Sequence, residues 1–306
     1  MNRQAHWTGR SRGGVFGYRF FILLIRKAGI GFAYGFLALV AAYFIPCAPR
    51  ATAAVWFYAR KILGYGRLRA VGHLWAHYYR FGQTLIDKIA LGAGLGARYR
   101  FEFDNYARFL ELLDSGSGVV MIGAHVGSWE AGAGFFGDYA ARMNIVLYDG
   151  EAAAIKRALN SAGAAGHRFK TIALGDDGLE SVLKIKNALD AGEYVCFQGD
   201  RYMGGNGHGG FSNGSGNTLE AGFMGLPALF PRGPFRVAAR MKTPVVFFYA
   251  MRERGRAYRF HFVEAESQSE RGLLDEYLTA TERVVRAYPT QWFNFYNFWL
   301  TRKKKS

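Results

Sequence analysis

Short apolar runs alternate with longer amphipathic stretches over the C-terminal two thirds of the chain, and this alternation restricts its fold most strongly. Strands are predicted at 118–122, 144–148, 170–174, 193–197, 244–250 and 258–263, and helices at 151–161, 179–191 and 272–288. Strand, helix and strand in succession are typical of βαβ units. The sequence therefore predicts an α/β fold with a central, largely parallel or mixed sheet and helices on both faces.

The N-terminal part is predicted to be helical and apolar. Residues 28–45 carry no charge and just reach the length of a transmembrane helix, and Pro46 and Pro49 end the segment. Basic residues flank this apolar arm on both sides, so the positive-inside rule favours neither a simple span nor an exported domain. A helix lying in the membrane interface fits the charges better, and a signal peptide is the alternative. Residues 51–91 are predicted to form a further helix.

The charge of the chain indicates an acidic partner. Lys and Arg number 39 against 23 Asp and Glu, which gives a net charge of +16. Anionic lipid, nucleic acid or an acidic carrier protein would match this surplus, and the aromatic residues concentrated near both ends favour a lipid surface over nucleic acid. Cys47 and Cys196 are the only cysteines. We therefore expect neither a disulfide framework nor a thiolate metal site.

A histidine and a glutamate stand five residues apart in the run AHVGSWE. His125 follows a predicted strand at its carboxyl end, where active sites of open α/β sheets lie. Gly123 and Gly127 leave room for a substrate, and Ser128 is placed to cap the next helix, with Glu130 in its first turn. A Glu that accepts from Nδ1 of the histidine would leave Nε2 as a base. The alternative is a buried histidine bonded to a carboxylate for structural reasons.

This H-x4-E pattern after a short apolar strand resembles the H-x4-D/E signature of the lysophospholipid acyltransferase superfamily. Within it, the chain is most similar to the lipid A late acyltransferases (lauroyl and myristoyl transferases) and their predicted-acyltransferase relatives. Further matching blocks occur in order along the chain, before and after this motif. They are Trp7-x-Gly9, Arg12-Gly13-Gly14, Tyr79-Arg80-Phe81-Gly82, Gly199-Asp200-Arg201 and Gly225-x-Pro227-Ala228-x-Phe230-Pro231-x-Gly233-Pro234.

The resemblance implies that His125 deprotonates an acceptor hydroxyl, which attacks an acyl thioester, and that Glu130 orients His125. The residues expected to bind substrate are Gly127, Ser128, Asp200, Arg201, Arg232, Gly233 and Arg236. By resemblance, Asp200 and Arg201 belong to the acceptor- or phosphate-binding block, and a surface ion pair is the alternative.

One block departs from the superfamily pattern. Many members read P-E-G-T-R where this chain has Pro231-Arg232-Gly233-Pro234. The arginine in place of the glutamate argues against a glycerophosphate acceptor and favours the lipid A branch. Arg232 and Arg236 would then bind an anionic headgroup or the phosphopantetheine of a carrier.

The expected partners are an acyl carrier protein (or acyl-CoA) as donor, a lipid acceptor and a membrane surface, with no nucleic acid, cofactor or metal. We expect an inner-membrane location with the catalytic domain on the cytoplasmic side. The expected parts are a basic N-terminal segment with the apolar arm (1–49), an acyltransferase domain (50–300) and a basic tail (301–306). A lipid ester hydrolase using the same pair, or a non-enzymatic basic membrane-binding protein, are the alternatives.

Two further patterns leave alternatives open. Residues 291–300, QWFNFYNFWL, would as a helix place Trp292 and Trp299 on one side, either in the core or in an interfacial aromatic belt. His73 and His77, four residues apart, would share a helix face. Without a third ligand, a packing role is the better interpretation of these two histidines.

Overall fold

The computed structural model of the chain describes residues 15–92, 94–129, 136–148, 169–174, 178–201 and 217–300. The helices in these ranges are α1 Val15–Cys47, α2 Pro49–Phe57, α3 Arg67–Gly92, α4 Tyr106–Asp114, α5 Gly178–Asp190, α6 Arg232–Met241 and α7 Glu270–Ala287. The strands are β1 Arg100–Phe103, β2 Val119–Gly123, β3 Met143–Tyr148, β4 Lys170–Leu174, β5 Tyr194–Gln198, β6 Thr218–Phe223, β7 Leu226–Pro231, β8 Val245–Arg252 and β9 Ala257–Glu264.

A mixed sheet of seven strands in the order β1-β9-β8-β2-β5-β3-β4 forms the centre of the described fold. β8 and β9 are antiparallel, whereas the other neighbours run parallel. Successive residues of β2 point to opposite faces, so Val120 and Ile122 pack with α5, α6 and α7, while Val119 and Met121 pack with α1, α3 and α4. The predicted α/β fold with helices on both faces is confirmed.

The strands are continuously apolar in sequence because helices cover both faces of the sheet. All eight residues of β8 are buried, as are the first four of β2. Such strands lack the alternation of polar and apolar residues that a half-exposed strand shows. The predicted strands agree with the structure to within two residues at each end, and β4 agrees at both ends.

The apolar arm is a helix that packs along α3. Gly29, with φ at 84°, kinks α1, and at Gly82 of α3 a Cβ would lie 2.3 Å from a methyl carbon of Leu37, so the two helices meet closely there. The opposite face of α1 is exposed at Leu23, Phe32, Leu39 and Tyr43. By length and composition alone, Phe20–Cys47 is apolar enough to cross a membrane, which is weak evidence for a span.

A buried carboxylate joins this arm to the sheet. Asp87 of α3 is fully buried and accepts hydrogen bonds from Tyr99 at 2.9 Å, Tyr258 at 2.6 Å, the Arg252 Nε at 2.8 Å and the hydroxyl of Tyr34 on α1. Arg252 is also buried. A buried ion pair needs such additional donors, because desolvation of both charges otherwise cancels their attraction.

The prediction of one helix over 51–91 is wrong. α2 passes into a π-helical turn, Tyr58–Ile62, and the chain breaks before α3. Gly64 has φ at 68°, a left-handed conformation that glycine adopts without a steric penalty, and the amide of Tyr65 bonds back to the Ala59 carbonyl. The apolar spacing continues through the break and hides it.

The C-terminal aromatic segment is not a helix. Its backbone bonds to other parts of the chain, with the Phe293 amide donating to the His125 carbonyl at 2.9 Å and the Leu300 amide to the Pro227 carbonyl at 2.9 Å. Trp292 and Trp299 are both 1% exposed. These two rings therefore belong to the core and not to an interfacial belt.

The hairpin β6–β7 was not predicted. Met224 and Gly225 connect its strands, both with positive φ, as a two-residue hairpin turn requires. Gly222 within β6 and the prolines of β7 weaken the strand pattern in the sequence. β1 and α4 also lie in a stretch for which no element was predicted.

Candidate active site

His125 lies two residues beyond β2, at the carboxyl edge of the sheet, and contacts Asp200. Its Nδ1 is 2.7 Å from Oδ1 of Asp200, and its backbone amide donates to Oδ2 at 3.0 Å. Asp200 follows β5, which pairs with β2 in parallel so that Gly123 faces Gln198. Because neighbouring parallel strands end at the same edge, two residues that are far apart in sequence meet there.

The two partners differ in exposure. The side chain of Asp200 is 3% exposed, whereas that of His125 is 27% exposed. Burial raises the pKa of Asp200, but the charge of His125, the hydrogen bonds from it and the charge of Arg201 outweigh burial, so the pKa falls below its usual range. Asp200 is therefore ionised at neutral pH. Its contact with His125 stabilises the fold above about pH 4 and is lost only as the pH falls through the lowered pKa.

The Asp200 carboxylate determines which ring nitrogen of the neutral imidazole carries the proton. An ionised carboxylate only accepts hydrogen bonds, so the proton of neutral His125 must lie on Nδ1. Nε2 then carries the lone pair and is available as an acceptor. This arrangement, a buried carboxylate behind a partly exposed imidazole, is suited to taking a proton from a hydroxyl group.

The turn that carries His125 is held on both sides by backbone hydrogen bonds. The Gly127 amide donates to the Gln291 carbonyl at 2.8 Å, and the Ser128 amide donates to the Ala250 carbonyl at 2.8 Å. Gly127 has φ at 72°, and a Cβ there would lie 2.1 Å from the Ala250 oxygen. The space beside Gly127 is thus taken up by β8, and a substrate is not needed to explain this glycine.

Arg201 reaches the same edge from the other side. Its guanidinium donates to the Phe293 carbonyl at 2.6 Å and lies 5.9 Å from the ring centre of Tyr296. Since the Phe293 amide bonds to the His125 carbonyl, one residue links Arg201 to the histidine turn. The structure therefore brings Asp200 and Arg201 to His125.

The other predicted binding residues lie at the start of α6. Arg232 Nε is 2.5 Å from Glu270 at the beginning of α7, Gly233 is buried, and Arg236 follows one turn later. Among the described residues, these three form no hydrogen bond with His125 or Asp200. Their predicted role in substrate binding stays a prediction.

Glu130, the predicted helix 151–161 and the stretch 204–216, which contains seven glycines, lie outside the described residues. The sequence patterns predicted no role for Gln291. Its side-chain amide pairs with the backbone of Arg252 in both directions, at 2.9 and 2.7 Å. It therefore ties the His125 turn to the end of β8. No local pattern distinguishes this glutamine from other polar residues in the aromatic segment.

No group of three or more metal-ligating side chains occurs within the described ranges. His73 and His77 face aromatic rings, with ring centres 5.6 Å from Tyr58 to His73 and 5.2 Å from Phe295 to His77. Both histidines are buried, as a packing role requires.

Comparison with known proteins gives a family match for the part of the chain that contains this site. A family model described as bacterial lipid A biosynthesis acyltransferase matches residues 97–301, which is more than half of the chain and includes the sheet, His125 and Asp200. No individually curated protein matches the chain. The fold, the histidine at the edge of its sheet and the extent of this match lead to one conclusion: the chain belongs to the bacterial lipid A biosynthesis acyltransferase family.

Proposed function

We propose that the protein transfers a fatty acyl group from an acyl carrier protein thioester to a hydroxyl of a lipid A-like or other lipid acceptor. The observation that carries the proposal is the contact of His125 Nδ1 with buried Asp200, which leaves Nε2 as a base in a chain of an acyltransferase family. The resemblance assigned the orienting role to Glu130. We propose that Asp200 has this role, and Glu130 stays the second candidate for it on the evidence of the sequence motif.

The proposed reaction has two proton transfers. Nε2 of His125 takes the proton of the acceptor hydroxyl as its oxygen forms a bond to the thioester carbonyl carbon. The resulting oxyanion collapses, the carbon–sulfur bond breaks, and the thiol leaves with the proton that His125 held. Asp200 stabilises the imidazolium between these steps. An arginine such as Arg201 is a candidate for stabilising the oxyanion, because most backbone amides of the turn already donate to protein groups.

The charge of the chain supports a carrier protein as donor. A net charge of +16 would accelerate encounter with an acidic carrier protein. Arg232 and Arg236 stay candidates for the phosphate of its prosthetic group, with the ion pair of Arg232 to Glu270 broken or shared on binding. Acyl-CoA carries similar phosphates, so comparing rates with the two donors tests this part of the proposal.

We further propose that the protein acts at the cytoplasmic side of the inner membrane with its arm lying flat. Tyr34, near the middle of α1, bonds to the buried pair of Asp87 and Arg252. If the arm spanned the bilayer, these charges would stand beside its hydrophobic centre, where charged groups are costly. An arm in the interface keeps them near the headgroups and still buries Phe32 and Leu39 in lipid.

The His125→Ala variant tests the proposed function. We expect acyl transfer to fall by about a thousandfold, because general-base catalysis contributes about 10² to 10⁴ in rate, while folding and membrane binding persist. Acyl transfer that continues at the wild-type rate would contradict the assignment. Fatty acid released equally fast with and without acceptor would identify a hydrolase instead.

A further inference from the structure

A groove of about 440 Å³, lined by four arginines, lies between α1, α3 and the β8–β9 turn. Its lining includes Arg80 of α3 and the three arginines Arg252, Arg254 and Arg256. The volume lies within the range of small-molecule sites, about 300 to 1,000 Å³. The acyl-transfer mechanism makes no use of this groove.

Three of these arginines form no ion pair in the part of the chain that the structure describes. Arg252 is neutralised by Asp87. The guanidinium of Arg80 donates to the neutral amide of Gln83 at 2.9 Å. Among the described residues, neither it nor Arg254 nor Arg256 forms an ion pair. Charges of one sign gathered in one groove attract an anion.

Arg80 is half-buried, and its positive charge is disfavoured at this position. Burial and the neighbouring charge of Arg252 lower the pKa of Arg80, and together they outweigh the charges of Glu253 and Asp87, which raise it. A bound anion would offset both effects. Arginine side chains are suited to this task, because the planar guanidinium donates two parallel hydrogen bonds to the oxygens of a phosphate.

The position of the groove favours an anion that belongs to a lipid. Gly31 and Tyr34 of α1 form one wall, and the next residue along from Gly31, Phe32, is 59% exposed on the outer face of the same helix. A lipid with its chains against this outer face would hold its headgroup phosphate at the level of the groove. An arm lying in the interface has this geometry.

The groove also lies at the same edge of the sheet as the catalytic turn. Arg252 ends β8, its backbone pairs with the side chain of Gln291, and the Gln291 carbonyl accepts from Gly127. A lipid held in the groove would therefore lie beside the His125 turn, on the side of the sheet that carries α1 and α3.

We infer that this groove binds the phosphate of an anionic lipid headgroup. The inference goes beyond the proposed acyl transfer and does not rest on it, because binding is measured without turnover. Phosphate monoesters, with a charge between −1 and −2 at neutral pH, match three unpaired arginines better than a zwitterionic headgroup does.

The test compares three soluble probes on the full-length protein in neutral detergent: dihexanoyl phosphatidic acid, dihexanoyl phosphatidylcholine and inorganic phosphate. The groove variant is Arg80→Gln with Arg254→Gln. Its matched control is Arg240→Gln with Arg283→Gln, two exposed arginines on α6 and α7, across the sheet. Calorimetry gives each dissociation constant, and thermal unfolding checks that both variants are folded.

We expect phosphatidic acid to bind the wild type and the control alike, and the groove variant about tenfold more weakly for each arginine lost. Arg254→Gln alone changes an exposed side chain and should keep the fold while showing its share of the loss. His125→Ala should bind phosphatidic acid like the wild type, which separates this inference from the proposed function.

Equal binding of phosphatidic acid and phosphatidylcholine, or equal loss in the groove and control variants, would overturn the inference. Inorganic phosphate that binds as tightly as phosphatidic acid would identify a free-phosphate site instead and would also overturn it. So would an acidic carrier protein that loses binding in the groove variant while phosphatidic acid binding is unchanged.

Discussion

At the scale of single residues, His125 depends on a carboxylate that is 75 positions away in the chain. Asp200 bonds to both the ring and the backbone amide of His125, so it holds the imidazole by two contacts and from a buried position. In the proposed mechanism, Asp200 positions the base without touching the substrate. Glu130, five residues from the histidine, was the carboxylate that the sequence motif indicated for the same role.

Replacing each carboxylate by its amide separates the two candidates. We expect Asp200→Asn to lower kcat by about a hundredfold or more with little change in KM, because the imidazolium loses its counter-charge in the transition state. Glu130→Gln should have a smaller effect on kcat. Steady-state kinetics with both substrates varied measures the difference, and a larger loss of kcat in Glu130→Gln than in Asp200→Asn would return the orienting role to Glu130.

The two buried histidines of α3 make stability depend on pH. Burial lowers the pKa of His77 to about 3 and that of His73 to about 4, with further lowering by the charges of His73 and Arg69 respectively. Both are therefore neutral in the fold, while the unfolded chain binds protons near the ordinary pKa of about 6.5. Stability falls as the pH drops from about 6.5 towards these lowered values.

His77→Leu should remove part of this pH dependence. Between pH 7 and pH 4.5 the wild type loses about 2 kcal/mol of unfolding free energy through His77 alone, and the variant should not. Chemical denaturation at several pH values measures the loss. A variant whose stability falls with pH as steeply as that of the wild type would show that His77 is already protonated in the fold.

At the scale of elements, close backbone contacts shape the active site. The turn after β2 lies directly against β8, and the segment after α7 passes over it, so that Gly127 is enclosed by the Ala250 and Gln291 carbonyls. The same kind of contact at Gly82 and Leu37 lets α1 approach α3. Glycine is required where a backbone or a neighbouring side chain occupies the space of a Cβ.

Gly127→Ala should be strongly destabilising. The new methyl group would overlap the Ala250 oxygen, and the positive φ adds strain, so we expect a loss of about 2–4 kcal/mol and a displaced His125. Thermal unfolding and activity measure the effect. Gly222→Ala, where a Cβ would meet nothing within 4 Å, is the matched control and should change stability by about 0.5 kcal/mol or less. Equal tolerance of both changes would contradict the close approach of the turn to β8.

At the scale of the whole molecule, α1 joins an exposed apolar surface to the edge of the sheet that carries His125. One side of α1 is tied to α3 and to the buried Asp87, and the other side exposes large apolar residues. If the arm lies flat in the membrane interface, as proposed, it buries one face in protein and the other in lipid. The basic groove and the turn that carries His125 then lie at the depth of lipid headgroups, where the proposed acceptor hydroxyl would be found.

Spin labels on the arm test its orientation. Phe32→Cys and Tyr43→Cys replace exposed residues, 59% and 64% accessible, in a chain with Cys47 and Cys196 changed to Ala. A flat arm predicts that both labels lie at similar, shallow depth in lipid vesicles. A spanning arm would separate them by about 16 Å along the membrane normal, because a helix rises 1.5 Å per residue.

Several parts of the molecule depend on local physics and could be predicted from the sequence alone. The lengths of apolar runs predicted six strands of the sheet, and βαβ alternation predicted the fold class, because a strand buried on both faces needs a continuous apolar stretch. The position of His125 after β2 followed from the same reasoning. The sequence also predicted that the apolar arm ends near Pro46, and α1 ends at Cys47.

The tertiary structure alone decided which groups meet. The adjacency of β2 and β5, and hence the contact of Asp200 with His125, follows from strand order, which no local pattern encodes. The aromatic segment after α7 is not a helix because its amides and carbonyls bond to distant backbone, and the arginine groove exists because α3 and the β8–β9 turn fold beside α1. Hydrogen bonding and burial act between neighbours in space, so the partner of His125 was set by the arrangement of the sheet and not by the spacing of its motif.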